Sequence, residues 1–152
     1  MLVEPEIPQN TGNVARLAAG MACPLHLVGK LGFSVDEKAV RRAGLDYWPL
    51  VELHQHADLA SFRVAHPRAR LLLFSSIATR SYLEARFAPG DALVFGKESV
   101  GLPDELLAAH TEDVYAVPTI GEIRSLNLAN AVAVVLYEVY RQRGAFDALE
   151  LR

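Results

Sequence analysis

Short apolar runs alternate with helical patterns along most of this chain. Leu71 to Phe74 and Ala92 to Phe95 contain no polar side chain, as expected of strands buried on both faces. Leu25 to Val28, Pro49 to Leu53 and Val114 to Val117 read as further strands, and Met1 to Val3 as an abrupt first one. Pro5 and Pro8 predict an extended loop after it. Asn10-Thr11-Gly12-Asn13 then reads as a helix start, with Ala-rich helical spacing from Val14 to Ala22 until Pro24. Asp36 to Ala43, ended by Gly44, and Asp58 to Ala65 read as short helices. Pro103 opens another, where its missing N–H costs nothing and Asp104 and Glu105 suit the positive helix end.

The stretch Ile123 to Glu138, IRSLNLANAVAVVLYE, joins a polar loop to the most apolar helix of the sequence. Ser125 and Asn127 are good N-cap types, and Ala131 to Tyr137 carry no charge and no amide. Such a helix is buried nearly all round, by the protein's own sheet or by a second subunit. It is too short for a bilayer, which needs about 20 apolar residues. The helix is expected to fray at Gly144, leaving residues 145–152 as a loose tail. The loop before it gathers Arg124, Ser125 and Asn127 at a helix start, an arrangement suited to anions and polar ligands.

Strands that are apolar on both faces and separated by helices predict an α/β fold with a mostly parallel sheet flanked by helices. In such sheets ligands bind off the carboxyl ends of the strands. That nominates the loops Glu4 to Asn13, Ser75 to Thr79, Gly96 to Gly101 and Pro118 to Asn127. At 152 residues the chain reads as a single domain able to bury ~70% of its unfolded surface.

Half the residues are hydrophobic and the net charge is −3, so RNA or DNA binding by bulk basicity is excluded and any basic face must come from a few arginines. The lone Cys23 allows neither an intramolecular disulfide nor a thiolate cluster for zinc. With no basic segment followed by an apolar run at the start, a cytoplasmic protein without membrane partners is expected.

Several chemistries fail on spacing. Gly96-Lys97-Glu98-Ser99 resembles the end of a phosphate-binding loop, but Asp91 stands where the first glycine is needed and Glu98 where Ser or Thr is needed. No GxGxxG follows a strand, and no GxSxG elbow exists. His54 and His56 form an H-x-H pair without a further ligand at suitable spacing, so no metal is expected.

Three segments together carry a resemblance. Asn10-Thr11-Gly12-Asn13 with Arg16, LVFGKESVGLP from Leu93 to Pro103, and IRSLNLANAVAVVLYE look like the successive motifs of the SPOUT RNA methyltransferases. EPEIPQNTGNVARLAA and RRAGLDYW, from Arg41 to Trp48, resemble the minimal branch that methylates the wobble-nucleotide ribose of tRNA, the TrmL type. The resemblance runs from Leu2 to about Gly144, and departs from the family in a shorter first strand.

The resemblance implies a deep C-terminal trefoil knot, S-adenosyl-L-methionine as cofactor, and a homodimer with the first and last helices across the interface. Val134 and Tyr137 are the interface candidates. The implied substrate is the anticodon stem-loop of tRNA, methylated on the 2′-hydroxyl of a wobble cytidine or uridine. The match places cofactor binding on Phe74, Ser75, Gly96, Val117, Ser125 and Leu126, and catalysis on Arg16, Glu98, Ser125 and Asn127. Capping alone would also account for Ser125 and Asn127. Because a guanidinium stays protonated, Arg16 reads as a phosphate clamp rather than a base. Glu98 would accept the proton or hold Arg16 by an ion pair. RNA binding would fall to Arg16, Arg41 and Arg124, joined in a dimer by Arg42, Arg80, Arg141 and Arg143. Two other functions fit: a methyltransferase of the same fold acting on another tRNA or rRNA ribose, and a noncatalytic RNA-binding or cofactor-sensing dimer.

Overall fold

The computed structural model describes residues 1–33 and 47–149. The helix expected over Asp36 to Ala43, with Arg41 and Arg42, lies outside them. The described chain forms β1 (Leu2–Val3), α1 (Pro8–Gly20), β2 (Leu25–Val28), β3 (Leu53–His56), α2 (Leu59–Ala65), β4 (Leu71–Phe74), β5 (Ala92–Phe95), α3 (Asp104–Ala108), β6 (Val114–Tyr115) and α4 (Leu128–Gln142). All strand pairs are parallel, in the order β3-β2-β1-β5-β4-β6. The chain winds outward from β1 to β3 and returns on the other side of β1. The reversal of strand order therefore falls between β1 and β5, where α/β sheets open a ligand crevice at the carboxyl ends.

Alternation along each strand builds two cores. Leu72 and Phe74 of β4 face one side and pack with α1 (Val14, Ala15, Ala18) and α4 (Ala129, Val132, Val135). Leu71 and Leu73 face the other side with Phe62 of α2 and Leu102 before α3. Both faces of β4 are sealed, which is why this run is apolar throughout.

Three expected boundaries move. The extended loop expected through Pro8 ends sooner, because Pro8 occupies the first turn of α1, where its fixed φ suits a helix and no N–H is needed. The strand expected over Pro49 to Leu53 lies later: Trp48–Leu50 is a 3-10 turn, and β3 runs through His54, Gln55 and His56. Among the described strands β3 pairs only with β2, so it can be polar, and Pro49 could not have donated to the ladder. The strand expected to reach Val117 is assigned only to Tyr115.

Beyond it, the Tyr115 carbonyl accepts from Ser75 N–H at 2.9 Å. Ala116 turns the other way, donating to the Arg80 carbonyl at 2.8 Å and accepting from Tyr82 N–H at 2.9 Å. The stretch 115–116 thus runs between two parts of one earlier segment. After α4, Gly144 takes a positive φ of 65°. Phe146 then folds back to stack on Tyr137, with ring centroids 5.6 Å apart.

Candidate active site

Beyond the carboxyl ends of β4 and β5 lies a cavity of about 570 Å³. Phe74 and Phe95, the last residues of those strands, stack with centroids 4.7 Å apart and form an apolar wall. Ser75, Gly96 and Val117 continue from β4, β5 and the stretch after β6, while Arg124, Ser125, Leu126 and Asn127 approach from the loop before α4. Every residue expected to hold the cofactor lines this one cavity, and so do Glu98, Asn127 and Arg124.

A hydrogen-bond chain joins the three segments. Glu98 Oε2 accepts from Glu6 N–H at 2.9 Å, and its Oε1 from Ile7 N–H at 3.3 Å and Asn10 Nδ2 at 2.9 Å. Asn10 Oδ1 accepts from Asn127 Nδ2 at 2.9 Å. Asn127 Oδ1 in turn accepts from Ala129 N–H at 2.9 Å as the N-cap of α4. Glu6 answers Glu98 by accepting from Ser99 N–H at 3.1 Å, and Lys97 Nζ meets Glu4 Oε2 at 2.9 Å. Partial burial by itself pushes the Glu98 carboxyl up. The hydrogen bonds from Glu6 N–H, the Asn10 amide and the N–H groups of Glu98 itself and Ile7 outweigh it, holding the group below the usual glutamate range.

Gly96 is needed for a reason other than ligand approach. A Cβ there would lie 2.1 Å from the Gly101 carbonyl carbon and 2.3 Å from Leu102 N, so the loop closes on the space a side chain would fill.

Arg16 stands apart from the cavity lining. It is exposed on α1, its guanidinium 5.5 Å from the centroid of the Tyr47 ring, and among the described residues no ion pair joins it to Glu98. Of the other arginines, Arg80 lies over Tyr115 and donates to the Glu112 carbonyl, while Arg141 is paired with Glu138 at 2.7 Å. Arg124 is exposed at the cavity mouth.

In the sequence Asn10 stood out as part of a helix start and of the first matching motif, with no role of its own. A buried amide in the first turn of an Ala-rich helix, 5% exposed, needs partners. That requirement could have singled it out. Glu4, Glu6 and Lys97 gave no such signal, being charges in a loop.

Loops gathered at the sheet reversal around stacked aromatic walls make a cavity where parallel α/β proteins bind ligands. Comparison with known proteins narrows it. The sequence model of the SpoU rRNA Methylase family matches residues 1–137. A tRNA (cytidine(34)-2'-O)-methyltransferase from Saccharophagus degradans is 44% identical over 145 residues, covering 95% of this chain and 94% of that protein. A solved structure described as "Structural insights into the 2-OH methylation of C/U34 on tRNA" superposes with a TM-score of 0.87 at 52% identity, covering 95% and 94% of the two chains. The SpoU methyltransferase AviRb from Streptomyces viridochromogenes, in complex with AdoMet, shares the fold at 22% identity, with a TM-score of 0.78 and coverage of 93% and 56%. The chain belongs to the SpoU rRNA Methylase family.

Proposed function

We infer that this protein transfers a methyl group from S-adenosylmethionine to the 2′-hydroxyl of the wobble nucleotide, cytidine or uridine, in the tRNA anticodon loop. The observation that carries this reading is the single cavity in which the three matching segments meet, joined by Glu98, Asn10 and Asn127. The relatives named for this reaction span nearly the whole chain, which supports it.

The cavity suits the cofactor's chemistry: apolar Phe74, Val117 and Leu126 stand beside Ser75 and Ser125 at loop positions rich in backbone donors and acceptors. S-Adenosylmethionine supplies a methyl group already activated by its positive sulfur. The chain's own task is alignment and help with loss of the hydroxyl proton. Ser125 and Leu126 hold one side of the ligand, and Gly96 keeps the opposing loop closed. Glu98 acts by position, because its two oxygens already accept three hydrogen bonds. Arg16 grips the phosphate of the target nucleotide, which orients the 2′-hydroxyl and leaves a phosphate oxygen as proton acceptor. Arg124 at the mouth steers the RNA backbone, and Arg41 is a further candidate for RNA binding.

Two architectural expectations belong to the same reading. The C-terminal part is threaded as a trefoil knot; the support is that residues 115–116 bond to Ser75 on one side and to Arg80 and Tyr82 on the other. The working unit is a cytoplasmic homodimer; the support is an apolar strip of α4, with Val134 36% and Tyr137 54% exposed.

The test is transfer of labelled methyl from S-adenosylmethionine to total tRNA lacking 2′-O-methylation, with the modified nucleotide mapped. Label on the wobble ribose is the expected result. Label on another ribose replaces the substrate, and cofactor binding without transfer replaces the enzyme by a sensing module.

A further inference from the structure

Four of the five histidines collect on one corner of the fold, at the edge opposite to β6. His54 and His56 alternate along β3 and therefore project to one face. His26 of β2 is the register partner of His54 and shares that face. His66, the C-cap residue of α2, completes the group from above. The rings are packed: His26 stacks on His54 with centroids 4.8 Å apart and on His56 at 5.2 Å. Phe62 of α2, buried at 2% exposure, packs beside them, edge-on to His26 and stacked on His66 at 4.7 Å.

The chemistry of this corner is unlike an ordinary polar surface. His26 Nδ1 and His56 Nε2 are 3.0 Å apart, so one must donate and the other accept, and at least one ring is neutral. Among the described residues no carboxylate pairs with His26, His56 or His66; Glu52 meets only His54, at 3.0 Å. Burial, then the charge of the Met1 amine and the neighbouring histidines, push His26 down to about 3. His56 is also lowered, by desolvation first and then by His66 and His54. Imidazoles packed against the apolar ring of Phe62 are nitrogen ligands of the type that suits zinc, copper and nickel.

We propose that His26, His56 and His66 form a binding site for a divalent transition-metal ion of the zinc class, separate from the methyl-transfer cavity. One nitrogen from each ring lies within 4.8 Å of the other two. Tetrahedral coordination at about 2.0–2.1 Å from each nitrogen places ligands roughly 3.3–3.4 Å apart. The close pair at 3.0 Å opens slightly as the ion replaces the shared proton. The widest pair, at no more than 4.8 Å, closes by about 1 to 1.5 Å through side-chain rotation. Three protein ligands leave a fourth position for water. The ion would tie edge strand β3 to β2 and to the end of α2. The sequence showed only the H-x-H pair, because the other two ligands come from positions that meet only in the folded sheet.

The test is titration of the full, chelator-treated chain with zinc alone by calorimetry, and with cobalt(II) as a spectroscopic probe. One ion per chain is expected, with visible cobalt bands of four-coordinate intensity. His56→Asn and His66→Asn should each weaken zinc by roughly 100-fold, while His110→Gln, in the remaining histidine, should leave it unchanged. Should those variants misfold by circular dichroism, the histidine ring protons of the wild type decide: zinc should shift His26, His56 and His66 and leave His110 in place. No saturable binding, equal binding by the variants, or shifts confined to other residues would overturn the site.

Discussion

Asn10 and Asn127, separated by 117 positions in sequence, share a hydrogen bond of 2.9 Å between Oδ1 and Nδ2. The first turn of α1 is thereby fixed to the cap of α4. Asn127→Ala removes this bond together with the cap to Ala129, and should lower stability by about 1–2 kcal/mol. The melting temperature should fall by roughly 2–8 °C. A double-mutant cycle with Asn10→Ala, read by urea unfolding, should give a coupling of about 0.5–1.5 kcal/mol; additive losses would mean the two amides act independently.

Glu98 makes stability depend on acid. Its carboxyl is held below the usual range in the folded chain, so the folded state binds fewer protons than the unfolded one as the group titrates. The stability it contributes is fully present above the unfolded value of about 4.3 and is lost as pH falls through the folded one. Glu98→Gln should therefore be less stable than the wild type by about 1–2 kcal/mol at pH 7, and the gap should close progressively in acid. Thermal unfolding of both proteins across the acid range provides the comparison; a constant gap would show that Glu98 contributes only by its shape.

Gly96→Ala presses a methyl group into the Gly101–Leu102 backbone. Overpacking of this kind costs about 1–3 kcal/mol. Since the displaced loop walls the cavity, S-adenosylmethionine affinity measured by calorimetry should drop at least tenfold, by the ~1.4 kcal/mol-per-decade relation. Unchanged affinity would mean the loop relaxes away from the ligand side.

Arg16→Lys keeps the charge and removes the planar fork. Because Arg16 does not line the cavity, cofactor affinity should stay the same while turnover on tRNA falls by roughly 10- to 100-fold, the size of one lost charge-assisted contact. Nearly full turnover with unchanged tRNA affinity would eliminate the clamp. Wild-type tRNA affinity should also fall steeply with added salt.

Tyr137→Asp places a charge on the exposed strip of α4. Light scattering after gel filtration should report a dimer for the wild type and a monomer for the variant. A wild type that is monomeric at all concentrations would leave the strip without a partner copy.

What could be read from the sequence follows burial. Leu71 to Phe74 was legible as a strand because both its faces are covered and every position is apolar. β3 was not, since a strand that among the described residues is bonded on one side, and that carries His54, Gln55 and His56, has no apolar signature to read. Gly96 was recognisable as special, yet the reason lay in Gly101, which only the closed loop brings near. The Glu98 to Asn10 bond was invisible for a simpler reason: the two loops were expected at one site, but the partners lie 88 positions apart and neither residue specifies the other. Separation in sequence also hid the histidine cluster, where His26 and His56 stand 30 positions apart.

The place of Ala116 between Arg80 and Tyr82 on one side and the β4 end on the other has a consequence in time. A chain made from its amino end has β1 to β5, and with them Phe74, Ser75 and Gly96, well before Arg124 to Asn127 leave the ribosome. In the folded chain the late wall follows the 115–116 stretch, which lies beside the early segments. A partly synthesised chain therefore holds half a pocket, and competence for the ligand waits on the stretch from Arg124 to Asn127.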